Sequence, residues 1–484
     1  MPSPTLFQSA DLSRRMLSTT YTKTATISLH IIDYYSSKVY TTTSPITGYV
    51  SINTAKDTNF DTLHVELLGV ARTRVDGVRS PTKIYQTFLK LSMPIRESSY
   101  PDNHIFEAGH SYTIPFHFVI PNHLIINACN HSTFTGAIID EHLCLPPSTG
   151  IWDRDDLSPN MAQVEYSITS RVIRDHQVSG KQTPIMKAVQ CIHVLPAFAE
   201  QPPLNITKTD RLYTMSKTTT LRKHALSSKL GTLKVSATQP AAVMISADGH
   251  AASTTSTLLD LTYEPVSNQA AQPRLTEVSC KLVTKTFYSA EGIATLPNLG
   301  DWVGPYGAEG QGSYANNTRL SSMPVCNFQW RHNSTPQGLD NSEYASNIGT
   351  DLENCGGSGT GLRRVWDNAP PVYYTGNLQI PIKLPVDKKM FLPTFHCCIA
   401  SRVYILSLTV SVAVARSSST VTLQVPLQVG VVLSTENEDR TEPPSFEVTS
   451  EEAVAGSDPG PRTLQIPEDE FDHDALPAYR DVVL

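Results

Sequence analysis

Along most of this chain apolar and polar positions alternate with a period of two. Residues 24–31 and 44–52 alternate, the second run with Gly48 inside it, and 61–70 places Leu63, Val65 and Leu67 on one face. In 106–121, Gly109 offers a turn, then Ile114, Phe116, Phe118 and Ile120 share a face until Pro121 stops the run. The stretch 164–172 alternates in the same way, and 84–91 and 190–195 complete a first group. Side chains of a strand point to opposite faces in turn, so this pattern predicts half-buried strands separated by turns. A second group follows at 231–237, 256–263, 275–288, 376–384, 401–415 and 421–432. A helical period longer than two turns is not evident, and the expected fold is all-β.

A chain of 484 residues is too long for one core, so the two groups of runs predict two β-sandwich domains with tails. The boundaries read as an amino-terminal tail over 1–21, a first sandwich over 22–200 and a connector over 201–230. The second sandwich covers 231–432 and holds an insertion at 290–370, rich in Gly, Asn and Ser and expected to be mostly exposed. From residue 433 to the end there are 14 Asp and Glu against 3 Arg, a local charge of −11 that leaves +4 on the rest. That composition cannot build a core and predicts a disordered acidic tail. An acidic tail on a mildly basic body is not the balance of a nucleic-acid-binding protein.

Chemistry narrows the picture further. None of the eight cysteines forms a C-x-x-C pair and Cys397 and Cys398 are adjacent, which fits no common zinc motif, so no metal or cofactor is expected. Asp153, Asp155 and Asp156, with His142 nearby, read as a solvated acidic loop. Residues 397–415 are apolar enough to suggest a membrane span, but they alternate and include Arg402, so they read as a strand. The start of the chain carries no apolar run of signal-peptide length, so reduced thiols are expected. The glycines of 356–361 lack the strand-to-helix setting and the lysine of a phosphate loop, and neither G-x-S-x-G nor H-E-x-x-H occurs.

The residues Glu107, Gly109, Pro115, Phe116, Phe118 and Pro121, followed by Val164, Tyr166, Ile168 and Val172, resemble the amino-terminal sandwich of the arrestin fold. The resemblance is in particular to the fungal arrestin-like trafficking adaptors. Leu392-Pro393-Thr394-Phe395, leading into Ile399, Tyr404 and Leu406, is similar to the carboxy-terminal sandwich of the same family. The resemblance spans about 22–432 and implies two tandem immunoglobulin-like β-sandwich domains. It also implies a non-enzymatic cytoplasmic adaptor, recruited to the plasma membrane or endosomes, that binds a transporter or receptor as cargo. No residue is matched to the buried ionic core of visual arrestins.

Within that resemblance, Leu476, Pro477 and Tyr479 form an L-P-x-Y motif of the kind that recruits HECT-type ubiquitin ligases. A WW domain stacks proline between aromatic rings and seats the tyrosine in a neighbouring pocket. Pro370, Pro371 and Tyr373 spell P-P-x-Y, but the tyrosine begins a run of strand-forming residues and is expected to be committed to a sheet. Pro443, Pro444 and Phe446 repeat the pattern without the hydroxyl. Lys208, Arg211, Lys217, Arg222 and Lys223 make the connector basic: solvated linker charge, or a contact for anionic lipid, phosphorylated cargo or the acidic tail. Two other functions fit the same pattern: an endosomal sorting scaffold of the arrestin clan without a ligase, and a β-sandwich hydrolase or carbohydrate-binding protein.

Overall fold

In this computed structural model the described residues are 25–76, 81–158, 160–176, 181–223, 227–267, 270–299, 310–334, 372–414 and 417–433. Among them the chain forms 22 strands and one α-helix, an all-β architecture.

The amino-terminal half contributes β1 (Ala25–Ile31), β2 (Val39–Tyr40), β3 (Pro45–Thr54), β4 (Thr58–Asn59), β5 (Thr62–Val75), β6 (Thr82–Ser92), β7 (Ile105–Phe106), β8 (Ser111–Val119), β9 (Ala162–His176) and β10 (Lys181–Val194). They build a three-stranded sheet, β1-β3-β8, and a five-stranded sheet, β2-β10-β9-β5-β6, with β4 and β7 as a small separate ladder. Inward residues of both sheets share one core: Val50 and Ile52 of β3 and Phe116 and Phe118 of β8 on one side, Val65 and Leu67 of β5 and Tyr166 and Ile168 of β9 on the other. The 2-residue alternation is thus the imprint of two sheets packed face to face. Gly48 is needed at the crossing: a Cβ there would lie 2.2 Å from the His30 carbonyl oxygen and 2.5 Å from Phe116 Cζ. Gly109 takes φ 79°, the left-handed turn expected of it.

The carboxy-terminal half contributes β11 (Ser216–Arg222), β12 (Lys229–Ala237), β13 (Val243–Ile245), β14 (Thr255–Pro265), β15 (Arg274–Ser289), β16 (Gln311–Pro324), β17 (Arg331–Ser334), β18 (Val372–Ile382), β19 (Phe395–His396), β20 (Ala400–Val414), β21 (Ser417–Leu427) and β22 (Val429–Val431). One sheet runs β11-β12-β14-β18-β17, another β16-β15-β20-β19 with β21 also on β20, and β13 pairs β22 in parallel. Leu233, Val235, Leu259 and Leu261 from the first meet Leu282, Leu406, Leu408 and Leu423 from the second in a separate core.

Each core borrows from the other half. Leu157, on a loop before β9, belongs to the carboxy-terminal core, whereas Cys398 and Ile399, just before β20, belong to the amino-terminal one. Helix α1 (Gly136–Leu143), which lay outside the strand pattern, sits between β8 and β9 and presents Ile138 and His142 inward.

Two segments differ from the sequence reading. The basic connector is not wholly a linker, because 216–222 is the edge strand β11 with Leu221 buried. The 290–370 insertion is not simply an exposed loop, because β16 pairs β15 from Gln311 to Pro324 and β17 pairs β18. All three are sheet edges, where little is buried and alternation is not required; in β16 only Thr318 is buried. Residues 300–309 and 335–370 of the insertion, including the glycines of 356–361, lie outside the described residues. The 397–415 stretch is mainly strand β20, and no described helix is long and apolar enough to cross a membrane.

Phe118 is fully buried between the two amino-terminal sheets. Phe118→Ala is expected to lower the unfolding free energy by about 3–5 kcal/mol, read from denaturant titration as a lower midpoint at unchanged slope.

Candidate functional site

The most unusual chemistry lies where the halves exchange residues. Arg402 on β20 is 0 % exposed. Its Nε donates to Thr286 Oγ1 at 3.0 Å, Nη1 to the Asp156 carbonyl oxygen at 2.7 Å, and Nη2 to Ser158 Oγ at 2.6 Å and Tyr314 Oη at 3.5 Å. The acceptors come from two strands of its own half and from the loop 150–158 of the other. That loop is itself clamped: Arg154 donates to the carbonyl oxygens of Val386 and Gly249 at 2.7 and 3.0 Å, and Asn316 Nδ2 donates to that of Leu157 at 2.9 Å. Leu157 holds φ 62°, a left-handed conformation that costs a branched residue about 1–2 kcal/mol and is sustained by the apolar pocket its side chain enters.

The three aspartates flagged in the sequence divide among different tasks. Asp156 is buried and accepts from the backbone N–H groups of Gly150 at 2.6 Å and Ser158 at 3.0 Å. Burial raises its carboxyl above the usual range, against the pull of Arg402 and those hydrogen bonds. Asp155 pairs with Lys389 Nζ at 2.8 Å and accepts from the Leu157 N–H at 2.9 Å, which together hold it below the usual range. Asp153 is exposed. His142 stands with none of them.

His142 instead faces two thiols and a second imidazole. Cys129 and His131 follow the turn at Ile126–Ala128, His142 ends α1, and Cys398 arrives from the segment before β20. The four ligand-capable atoms lie within 4.8 Å of one another. Cys129 Sγ is 3.5 Å from His142 Nδ1 and 3.6 Å from His131 Nε2. His131 Nδ1 is 3.1 Å from the Ser132 carbonyl oxygen, which can accept only from an Nδ1–H and so leaves Nε2 as a lone pair toward the cluster. Burial, with His131 beside it, lowers the His142 imidazole to about 4, so the ring is neutral at ordinary pH. Sequence reasoning expected no metal site from the cysteine spacing. The cluster escaped it because Cys398 lies far along the chain from the other three, and only the short Cys129-x-His131 step is a local sign.

A second pairing, Ser401 Oγ to His396 Nδ1 at 2.6 Å, has the look of a nucleophile and base. Ser401 has no exposed surface, and burial drives His396 down to about 3, so the pair is a satisfied core hydrogen bond.

Of the binding residues read from the sequence, Leu476, Pro477, Tyr479, Pro370, Pro371, Pro443, Pro444 and Phe446 lie outside the described residues. Tyr373 lies in β18, half-buried, opposite Asn333 of β17. Lys208, Arg211, Lys217, Arg222 and Lys223 are all exposed but are spread along the segment; Lys217 and Arg222 sit at opposite ends of β11, about 17 Å apart at strand rise. Arg222 donates to the Ser227 carbonyl oxygen at 2.7 Å. The seven cysteines among the described residues carry no disulfide.

No protein-family model matches this chain, and no curated protein matches it either.

Removing the Arg402 guanidinium strands the Ser158 hydroxyl and the Asp156 carbonyl and leaves the Asp156 carboxylate without its buried countercharge. Arg402→Ala is expected to lower stability by about 3–5 kcal/mol in equilibrium unfolding. In the Asp155–Lys389 pair the carboxylate is exposed and the lysine half-buried, and Asp155→Asn is expected to cost under about 1 kcal/mol. Because the folded carboxyl is held below its unfolded value, that contribution is present above about pH 4 and disappears as acid titrates the folded form. Stability of wild type and variant should therefore converge in acid.

Proposed function

We propose that this chain is a non-enzymatic adaptor of the arrestin-like kind: two tandem immunoglobulin-like sandwiches that hold membrane-protein cargo and a carboxy-terminal tail that recruits a WW-domain ubiquitin ligase. The observation that carries the reading is the Leu476-Pro477-Ala478-Tyr479 motif near the end of an acidic tail, attached to an all-β body with two separate cores. The Ser401 hydroxyl of the Ser401–His396 pair has no exposed surface, which argues against its use as a nucleophile. Exposed basic residues from Lys208 to Lys223 offer a contact for anionic lipid or a phosphorylated cargo tail at the plasma membrane or endosomes. The commitment of Tyr373 to a sheet favours Tyr479 over Tyr373 as the ligase contact.

Leu476 in place of a first proline forfeits some pre-organisation, so the tail should bind a WW domain with a Kd in the micromolar range or weaker, about −8 kcal/mol or less favourable. In a pulldown with WW-domain baits, Tyr479→Ala and deletion of 433–484 should both abolish binding while the melting temperature of the body stays unchanged. Undiminished capture of Tyr479→Ala would remove this motif from the function, and no capture of wild type would favour a sorting scaffold that works without a ligase.

A further inference from the structure

We propose that Cys129, His131, His142 and Cys398 bind a structural zinc ion that staples the amino-terminal half to the start of β20. A tetrahedral zinc with Zn–S of about 2.3 Å and Zn–N of about 2.0–2.1 Å has S···N edges of about 3.5 Å. The two S···N separations from Cys129 are 3.5 and 3.6 Å. All four donor atoms already lie within 4.8 Å of one another, so the wider edges need to contract by only about 1 Å to reach those of a tetrahedral site.

The donor chemistry selects the metal. Two thiolates and two neutral imidazoles are a soft, four-coordinate set suited to zinc, and the thiolates cancel its charge, which suits a site with His142 1 % and Cys398 4 % exposed. With four protein ligands the sphere is closed, the mark of a structural site. Binding would release two thiol protons as the thiolates form. The surroundings are those of a supported site: Ser132 holds the His131 tautomer, and Gly292 backs onto the His131 ring so closely that a Cβ would lie 2.2 Å from its Cγ. Without a metal the Cys398 thiol reaches the Ala128 carbonyl oxygen only at a long 3.8 Å.

The position gives the ion its role. Three ligands belong to the amino-terminal half and the fourth to the carboxy-terminal half; Phe134 N–H to the Ala294 carbonyl at 3.1 Å crosses between the halves beside them, and Ile293 N–H to the Cys398 carbonyl at 2.7 Å holds the carboxy-terminal ligand in place. This inference is independent of the adaptor reading.

The full-length protein, purified without chelator or immobilised metal, should carry about one zinc per chain by elemental analysis. Replacement with Co2+ should give thiolate-to-cobalt charge-transfer bands and the visible bands of a tetrahedral site. A chelator should lower the melting temperature and added Zn2+ should restore it. Cys398→Ser and His131→Ala should each lose the metal, whereas Cys144→Ser, which removes a neighbouring thiol outside the cluster, should keep it. Should the ligand variants fail to fold, the wild-type cobalt spectrum decides. A wild-type chain that takes up neither Zn2+ nor Co2+, a melting temperature indifferent to chelation, or full zinc content in Cys398→Ser would overturn the proposal.

Discussion

A guanidinium keeps its charge at any ordinary pH, so burying Arg402 completely demands fixed acceptors on every side. The chain supplies them from places that have no reason to meet otherwise: Thr286 of β15, Tyr314 of β16, and the backbone and hydroxyl of the loop 150–158. Those contacts require that loop to enter the carboxy-terminal half. Its entry seats Leu157 in the second core, at the cost of a left-handed backbone, and brings Arg154 to the Val386 and Gly249 carbonyls. The relative placement of the two cores therefore follows from the needs of one charge, with apolar burial of Leu157 supplying the compensation.

The exchange is reciprocal, and both directions pass through one short stretch of chain. Between Cys398 and Arg402, the backbone turns from the amino-terminal core, where Cys398 and Ile399 are buried, to the polar contacts with Asp156 and Ser158. Only 3 residues lie between a thiol facing one set of partners and a guanidinium facing another. A neutral, close-packed cluster lies on one side of the turn and a solvated-like cage of carbonyls and hydroxyls on the other. Two different kinds of interaction thus tether the same segment, and loss of one leaves the other in place.

Much of this fold was legible in the sequence because two-faced burial writes itself as alternation. Phe116 and Phe118 in β8, and Tyr166 and Ile168 in β9, declare their strands without help from any partner. The edge strands β11, β16 and β17 do not, since one apolar residue such as Leu221 satisfies the little burial they have. Arg402 was readable as evidence against a membrane span, but its burial was not, because its acceptors come from two strands and a loop far away in the sequence. The cysteine and histidine cluster was hidden for the same reason: proximity made by tertiary folding has no period. The tail and most of the proline-containing motifs lie outside the described residues, so their reading rests on sequence alone.

The strand β15 gives the molecule a mechanical property. Its 16 residues cover about 50 Å at strand rise, and both of its edges are zipped, to β16 and to β20. One end lies in the carboxy-terminal sheet at Arg274; at the other, the Ser289 carbonyl accepts from Thr73 Oγ1 of β5 at 2.7 Å. A force applied at the far end of that sheet is delivered along a stiff, doubly braced rod to the other half, where the Thr73–Ser289 hydrogen bond and the apolar cluster of Ala162, Tyr288 and Phe395 receive it. Leverage of this kind concentrates strain at the junction long before the ladders themselves begin to part.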